Sequence, residues 1–206
     1  MAKDVRKLYG WDVFISYTHT GNVATWVRDY FHPELRDWIK NEIGLRDPRI
    51  FVDRFDIRTG EEWERKLGIA LRSSICLVPV LTAEYFRSRW CRTEWKTFIA
   101  REQQLHRSSN DAGGLIFPVK FSDGEHYDKS ALKKQIFDFS PWAYAAPAFK
   151  NSAEYPGFER AVKSFVSAFS HARGVLRVPP APGTSRVAVE TKDYQPPRMP
   201  VPRYRG

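Results

Sequence analysis

The stretch Trp11-Asp-Val-Phe-Ile-Ser-Tyr17 decides the fold, because it is apolar almost throughout its centre and has the length of a strand. A strand that is apolar on both faces is typical of a parallel sheet covered by helices on each side. Turn-forming residues follow at 18–22, and apolar residues then recur with the period of a helix up to Ile39. The sequence therefore predicts a strand, a loop and a helix in succession.

This succession is repeated along the chain. Further strands are predicted at 49–53, 74–81, 115–121 and, more weakly, 136–139. Further helices are predicted at 61–72, around Glu94 up to 106, and at 155–172. Pro33 is expected to kink or restart the first helix, and Pro79 to make the third strand imperfect or to place it close to an edge. Strands alternating with helices predict an α/β fold with a parallel sheet and helices on both faces.

Bulk composition indicates one packed domain. Of the 206 residues, 42% are hydrophobic and 15% aromatic, which suits a single core. The two cysteines each lie in an apolar segment, so we expect no disulfide framework and a reducing, cytoplasmic setting. No spacing typical of metal ligands occurs, so no metal is expected. We also expect no signal peptide and no membrane span.

The net charge of +9 raises the question of nucleic-acid binding. The basic residues are spread along the chain and mixed with acidic ones, and no recognition-helix, zinc-finger or RNP-like pattern occurs, so a nucleic-acid partner is not favoured. Residues 1–9 are predicted to form a short N-terminal arm and 10–174 the domain. Residues 175–206 hold seven of the fourteen prolines and predict a basic disordered tail. Three roles of the tail stay open: a passive extension, a docking segment for a protein partner, or a weak electrostatic contact with an anionic polymer. The first two are favoured, because little aromatic interleaving supports base stacking.

Glu94 is out of place in the helix that follows the third strand. On a helical wheel it lies within an arc of apolar residues: Trp90, Cys91, Trp95, Phe98 and Ile99. An ionised carboxylate there costs several kcal/mol unless it is paired. One interpretation is a functional carboxylate whose pKa is tuned by burial. The other is a side chain that reaches solvent or forms a salt bridge with Arg87 or Arg101.

The predicted sheet places Glu94 at the edge of a ligand-binding crevice. In open parallel sheets, ligands bind outside the carboxyl ends of the strands. The loops Thr18–Asn22, Arg54–Gly60 and Thr82–Arg89 are expected to meet at that end, and Glu94 follows the third loop by one or two turns. Dinucleotide-binding, P-loop and serine-hydrolase motifs are absent from the corresponding positions.

Three segments carry a resemblance to a known family. They are Asp12–Tyr17, Phe51–Asp53 with Asp56–Trp63, and Ser88-Arg-Trp-Cys-Arg-Thr-Glu94, which fits S-x-W-C-x-x-E. In this order and at this spacing they resemble the three boxes of a TIR (Toll/interleukin receptor homology) domain, and bacterial members more than animal receptors. The resemblance covers most of residues 10–170. It implies a flavodoxin-like, doubly wound parallel sheet of about five strands.

In the enzymatic branch of the family, the resemblance implies cleavage of the nicotinamide–ribose bond of NAD, in microbial defence signalling or NAD depletion. Glu94 matches the catalytic glutamate, and NAD is substrate rather than cofactor. A carboxylate beside the ribose stabilises an oxocarbenium-like state. The residues expected to contact the substrate are Ser16, Tyr17, Thr18, Arg54, Gly60 and Trp90.

Several of these roles have alternatives. Trp90 is expected to stack on nicotinamide or adenine. Arg54 and Arg58 are candidates for pyrophosphate contacts, or belong to a solvated basic loop. Some enzymatic members have an arginine after the first strand, where this chain has Thr18 and His19. The alternative function is a non-enzymatic scaffold that acts in signalling through TIR–TIR self-association, with the loop after the second strand contacting a neighbouring TIR domain.

Overall fold

In the computed structural model of the protein, the described residues are 9–52, 63–108, 114–122 and 124–175. Residues 1–8, the loop 53–62 after the second strand, and residues 109–113, 123 and 176–206 lie outside them. The predicted tail is therefore almost entirely outside the described residues, and its disorder stays a prediction. Tyr9, at the boundary of the predicted arm, is buried in the domain, with 3% of its surface exposed.

Five parallel strands form one sheet. They are β1 (Trp11–Ser16), β2 (Ile50–Val52), β3 (Ser74–Leu81), β4 (Val119–Lys120) and β5 (Phe137–Asp138). Their order across the sheet is β2-β1-β3-β4-β5, and every neighbouring pair is parallel. This is the flavodoxin-like order, whose direction of winding reverses between β1 and β3. The predicted fold class is confirmed.

Helices cover both faces of the sheet. They are α1 (Asn22–Trp26), α2 (His32–Ile43), α3 (Trp63–Ser73), α4 (Arg89–Ser108) and α5 (Tyr155–Val175). In the parts of the chain that the structure describes, no helix is both long and apolar enough to cross a bilayer.

Alternation along the strands builds two cores. Val13 and Ile15 belong to one buried cluster, with side chains of α1, α2 and α5. Phe14, between them in sequence, belongs to the other, with side chains of α3 and α4. Successive side chains of a strand point to opposite faces, so an apolar strand needs a helical layer on each side. The uninterrupted burial of β1 after Trp11 is the physical basis of the doubly wound architecture.

Pro33 restarts the first helical segment, as predicted. α2 begins at His32 with the proline in its first turn, where a missing backbone N–H costs nothing. The preceding residues, Val27–Phe31, are π-helical and connect α1 to α2. α2 ends at Gly44, whose φ of 67° is left-handed and whose N–H bonds to the carbonyl of Lys40; glycine adopts this conformation at low cost.

Of the two expectations for Pro79, the position near an edge is wrong, since β3 is the central strand, and the imperfect strand is confirmed by an interruption in its pairing with the β4 side. Leu77 exchanges both of its backbone hydrogen bonds with the β4 side, at Leu115 and Phe117. Two residues later, the missing N–H of Pro79 faces that same side. The β3–β4 pairing is accordingly split into a bridge at Leu77 and a ladder from Val80. This split also makes β4 shorter than the predicted 115–121.

Candidate functional site

The crevice of this sheet lies where β1 and β3 end. β1 ends at Ser16, and Tyr17 and Thr18 follow it; β3 ends at Leu81, and Thr82 follows it. The hydroxyl oxygens of Thr18 and Thr82 lie 3.4 Å apart. Since the winding of the sheet reverses between these two strands, the loops after them diverge and leave a gap at the carboxyl edge.

Ser88 sets the start of the helix that carries Glu94. Its hydroxyl accepts the backbone N–H of Cys91 at 3.3 Å, and its carbonyl accepts the N–H of Arg92. These are the contacts of an N-cap residue. With the helix start fixed, Glu94 falls on the face that packs against the sheet, together with Cys91 and the fully buried Phe98.

Ser88→Ala should lower the free energy of unfolding by about 1 kcal/mol, because it removes an N-cap acceptor. Urea unfolding of the purified protein measures this difference. Ser164→Ala is the control, since Ser164 is exposed in the middle of α5, where alanine is the better helix former. Equal effects of the two substitutions would contradict the assignment of Ser88 as the cap.

The carboxylate of Glu94 is buried against the end of β1. Only 2% of Glu94 and 2% of Ser16 are exposed, and Tyr85 is fully buried. The hydroxyl of Ser16 donates to Oε2 of Glu94, and the hydroxyl of Tyr85 lies 2.6 Å from Oγ of Ser16. Ser16 thus forms one buried polar cluster at the crevice with Tyr85 and Glu94, which follow it by 69 and 78 residues in the sequence.

The interpretation of Glu94 as a solvent-reaching or surface-paired side chain does not fit this burial. Arg87 forms its ion pair with Glu84, at 2.7 Å. The guanidinium of Arg101 donates to the carbonyl oxygens of Leu71 and Ser74, at 3.0 and 2.7 Å. A buried carboxylate needs polar partners in place of water, and the hydroxyl of Ser16 is one of them.

Burial also determines the protonation state of Tyr85. Desolvation raises the pKa of its phenol well above the usual value, and the neighbouring Cys91 and Glu94 raise that pKa further. The phenol therefore keeps its proton over the whole physiological pH range. Because the single hydroxyl hydrogen of Ser16 goes to Glu94, Tyr85 is the donor in its contact with Ser16.

A cavity of about 280 Å³ opens at the same edge. The residues lining it include Tyr17, Thr18, His19, Arg87, Trp90 and Cys91. The rings of Tyr17 and His19 stack face to face, with centroids 4.9 Å apart. Cys91 precedes Glu94 by three residues on α4, so the carboxylate lies about one helical turn from the cavity wall.

The structure brings together some of the predicted site residues. Tyr17, Thr18 and Trp90 line the cavity. Ser16 and Glu94 are hydrogen-bonded to each other and are not among the lining residues. Arg54, Arg58 and Gly60 lie outside the described residues. Their predicted substrate contacts, like those of the other site residues, stay predictions.

Sequence reasoning did not single out Tyr85 or the polar partners of Glu102. Glu102 lies two turns after Glu94 on α4 and accepts the backbone N–H groups of Leu115 and Ile116, at 2.7 and 3.1 Å. Lys134 donates to its other oxygen. A longer helical wheel would have shown that Arg101 and Glu102 share the inner face of α4 with Glu94.

Within residues 9–52, 63–108, 114–122 and 124–175, no three His, Cys, Asp or Glu side chains are grouped as metal ligands. Both cysteines are buried, and neither forms a disulfide. The candidate site therefore consists of a buried carboxylate, hydroxyl donors and aromatic rings.

A family model described as "TIR domain" matches residues 13–151. The chain belongs to the TIR domain family. The matched range contains most of β1, all of β2 to β5 and the whole cluster of Ser16, Tyr85 and Glu94. The resemblance that the three sequence boxes indicated is confirmed.

One curated relative of this TIR domain is the disease resistance protein RUN1 of Vitis rotundifolia. The two are 31% identical over 103 residues, which are 50% of this chain and 7% of RUN1. The chain thus spans only a small part of that protein.

Two solved TIR structures are similar to the chain. The TIR domain of the Toll-related receptor TRR-2 from Hydra magnipapillata aligns with a TM-score of 0.44 and 18% identity, over 74% of this chain and 98% of that one. The TIR domains of the activated Roq1 resistosome, which directly recognises the pathogen effector XopQ, align with a TM-score of 0.38 and 20% identity. That alignment covers 77% of this chain and 84% of the other. The likeness to bacterial members stays a prediction.

Proposed function

We propose that this TIR domain is an NAD glycohydrolase or cyclase that cleaves the nicotinamide–ribose bond of NAD. The observation that carries the proposal is the carboxylate of Glu94, which is buried beside a cavity at the carboxyl edge of β1 and β3 and is bonded to the hydroxyl of Ser16. Buried carboxylates of this kind concentrate at functional sites. We further propose a cytoplasmic role in microbial defence, by signalling or NAD depletion.

The main requirement of this cleavage is a negative charge held next to the ribose. When the N-glycosidic bond breaks, its electron pair leaves with nicotinamide and neutralises the pyridinium nitrogen, while positive charge develops on the ribose ring. A carboxylate fixed in a water-poor setting stabilises that charge without reorganising. Addition of water, or of a nucleophile within the product, at the same carbon with loss of a proton completes the reaction.

The residues that line the cavity are proposed to bind the bases and hydroxyl groups of NAD. Trp90 and the stacked pair of Tyr17 and His19 offer ring faces to nicotinamide or adenine, and Thr18 offers a hydroxyl. A volume of about 280 Å³ lies just below the range for small-molecule sites, about 300–1,000 Å³. It suits one part of a dinucleotide. Arg54 and Gly60 are proposed to contact the remainder.

The test is direct. Purified protein is incubated with NAD over a range of protein concentrations, and released nicotinamide is separated from NAD and quantified. The proposal expects nicotinamide to accumulate in proportion to time. A folded protein that releases none at any concentration, including concentrations at which it self-associates, would contradict the assignment as an enzyme.

Activity should rise faster than linearly with protein concentration. The physical reason is the small cavity, which we propose is completed by a neighbouring TIR domain through self-association. Initial rates of nicotinamide release, together with light scattering at the same concentrations, measure this dependence. Rates strictly proportional to concentration in a protein that remains monomeric would contradict the need for a second copy.

The alternative function is a non-enzymatic scaffold that acts through TIR–TIR contacts. One observation favours it: Glu94 is only 2% exposed and is not among the residues lining the cavity, so substrate must reach a shielded carboxylate. A protein that self-associates without cleaving NAD would support the scaffold. For both functions, a protein partner of the tail stays a proposal.

A further inference from the structure

Tyr85 contacts the hydrogen-bonded pair of Ser16 and Glu94 on its Ser16 side. Its hydroxyl lies 2.6 Å from Oγ of Ser16, and Ser16 in turn donates to Oε2 of Glu94. The tyrosine belongs to none of the three TIR boxes identified in the sequence. It reaches the cluster from the segment between β3 and α4, and its ring forms a T-shaped contact with that of Phe86 at a centroid distance of 5.1 Å.

We propose that Tyr85 is a positioning residue for Glu94 that acts through Ser16, in a directed chain of hydrogen bonds from phenol to hydroxyl to carboxylate. The proposal rests on the proposed function for its catalytic consequence. The chain itself rests only on the geometry of the three side chains. It assigns Ser16 to the support of Glu94 rather than to direct contact with the substrate.

The direction of the chain follows from counting protons. Ser16 has one hydroxyl hydrogen, which goes to Glu94, so its oxygen accepts from Tyr85. Because burial keeps the phenol protonated, Tyr85 donates at every pH at which the enzyme works. A hydroxyl that accepts one hydrogen bond donates the next one more strongly. Tyr85 therefore stabilises the charged form of Glu94 and holds Oε2 in one place.

A purely structural role for Tyr85 predicts something different. The domain contains another buried tyrosine, Tyr127, in the same hydrophobic cluster. Its hydroxyl donates to the carbonyl oxygens of Ser122 and Leu81, at 2.7 and 3.2 Å. Tyr127→Phe is thus a matched control, because it removes a buried phenol hydroxyl at a site outside the chain of three.

The first test measures the carboxylate itself, without turnover. In protein labelled with ¹³C at glutamate side chains, the Glu94 signal is assigned with Glu94→Gln and titrated with pH. Tyr85→Phe is expected to raise the titration midpoint by about half a unit to one unit, because the charged form loses support. Tyr127→Phe should leave it unchanged. An unchanged midpoint in a folded Tyr85→Phe protein would overturn the proposal.

The second test measures turnover of NAD. Tyr85→Phe should lower kcat about five- to tenfold, the effect of one hydrogen bond, with little change in KM. The double variant Ser16→Ala/Tyr85→Phe should be no slower than Ser16→Ala alone, because the chain is already broken at Ser16. Effects that multiply in the double variant would overturn the proposal.

Ser16→Thr covers the case in which Tyr85→Phe does not fold. Threonine keeps the hydroxyl, and its branched side chain is favoured in a strand. Ser16→Thr should therefore leave the titration midpoint of Glu94 at the wild-type value, whereas Ser16→Ala should raise that midpoint. Equal midpoints for both Ser16 variants would overturn the chain. If the wild-type protein cleaves no NAD, the proposed function fails and Tyr85 has no catalytic consequence, while the titration still decides whether the chain exists.

Discussion

Replacing Glu94 by glutamine is expected to abolish NAD cleavage while the domain remains folded. Glutamine has nearly the same shape, so Ser16 keeps a hydrogen-bond acceptor, but the negative charge that stabilises the developing cation is gone. Loss of one preorganised electrostatic group raises the barrier by about 3 kcal/mol or more, which is at least a hundredfold in kcat. Nicotinamide release under single-turnover and steady-state conditions measures the loss.

Glu102→Gln is the matched control for this variant. Glu102 is a second buried glutamate on the inner face of α4, with 4% of its surface exposed, but its partners are Leu115, Ile116 and Lys134. This variant should lose thermal stability, because a buried charged pair is broken, and keep its activity per folded molecule. Retained turnover in a folded Glu94→Gln protein would remove Glu94 from the reaction.

Trp26→Ala is expected to cause the largest loss of stability, about 3–5 kcal/mol in the free energy of unfolding. Trp26 is fully buried and packs against four aromatic rings: Phe31, Phe121, Phe139 and Phe158. Its indole N–H also donates to the carbonyl of Trp142 at 2.8 Å. The substitution leaves a large cavity and a buried carbonyl without its donor. Urea unfolding followed by circular dichroism measures the difference.

Tyr144→Ala is the control for Trp26→Ala. Tyr144 is also aromatic but is 51% exposed, so its removal should cost less than about 1 kcal/mol. A loss below about 2 kcal/mol for Trp26→Ala would mean that the aromatic cluster collapses into the vacated space, and that this side of the sheet is less rigidly packed than its ring contacts indicate.

The fold was predictable because the two central strands, β1 and β3, are mostly apolar on both faces. β1 has only one arrangement that buries both Phe14 and its neighbours Val13 and Ile15, namely a sheet between two helical layers. The alternation of strands and helices then limits the topology to a parallel, doubly wound sheet. For Pro79, the sequence predicted an imperfect strand correctly but not its central position, because a missing N–H does not show which neighbouring strand it faces.

The candidate site was predictable only in part. The wheel of α4 placed Glu94 among apolar residues, because helical periodicity is a local property that the sequence displays directly. The contact of Glu94 with Ser16 and Tyr85 depends on the register of β1 against β3 and on the path of the segment before α4. Neither is a local property. In the sequence, Tyr85 also cannot be distinguished from an aromatic residue that only packs in the core.

Ser16 lies far in sequence from its two partners in the cluster, and this affects when during folding the site is formed. Ser16 and Tyr85 are 69 residues apart, and Ser16 and Glu94 are 78 apart. Closing loops of this length is among the slow steps of folding. A nascent chain on the ribosome that has folded only β1, β2 and the helical segment between them still lacks Glu94. Under the proposed function, the chain can therefore cleave NAD only after β3 and α4 have docked on β1.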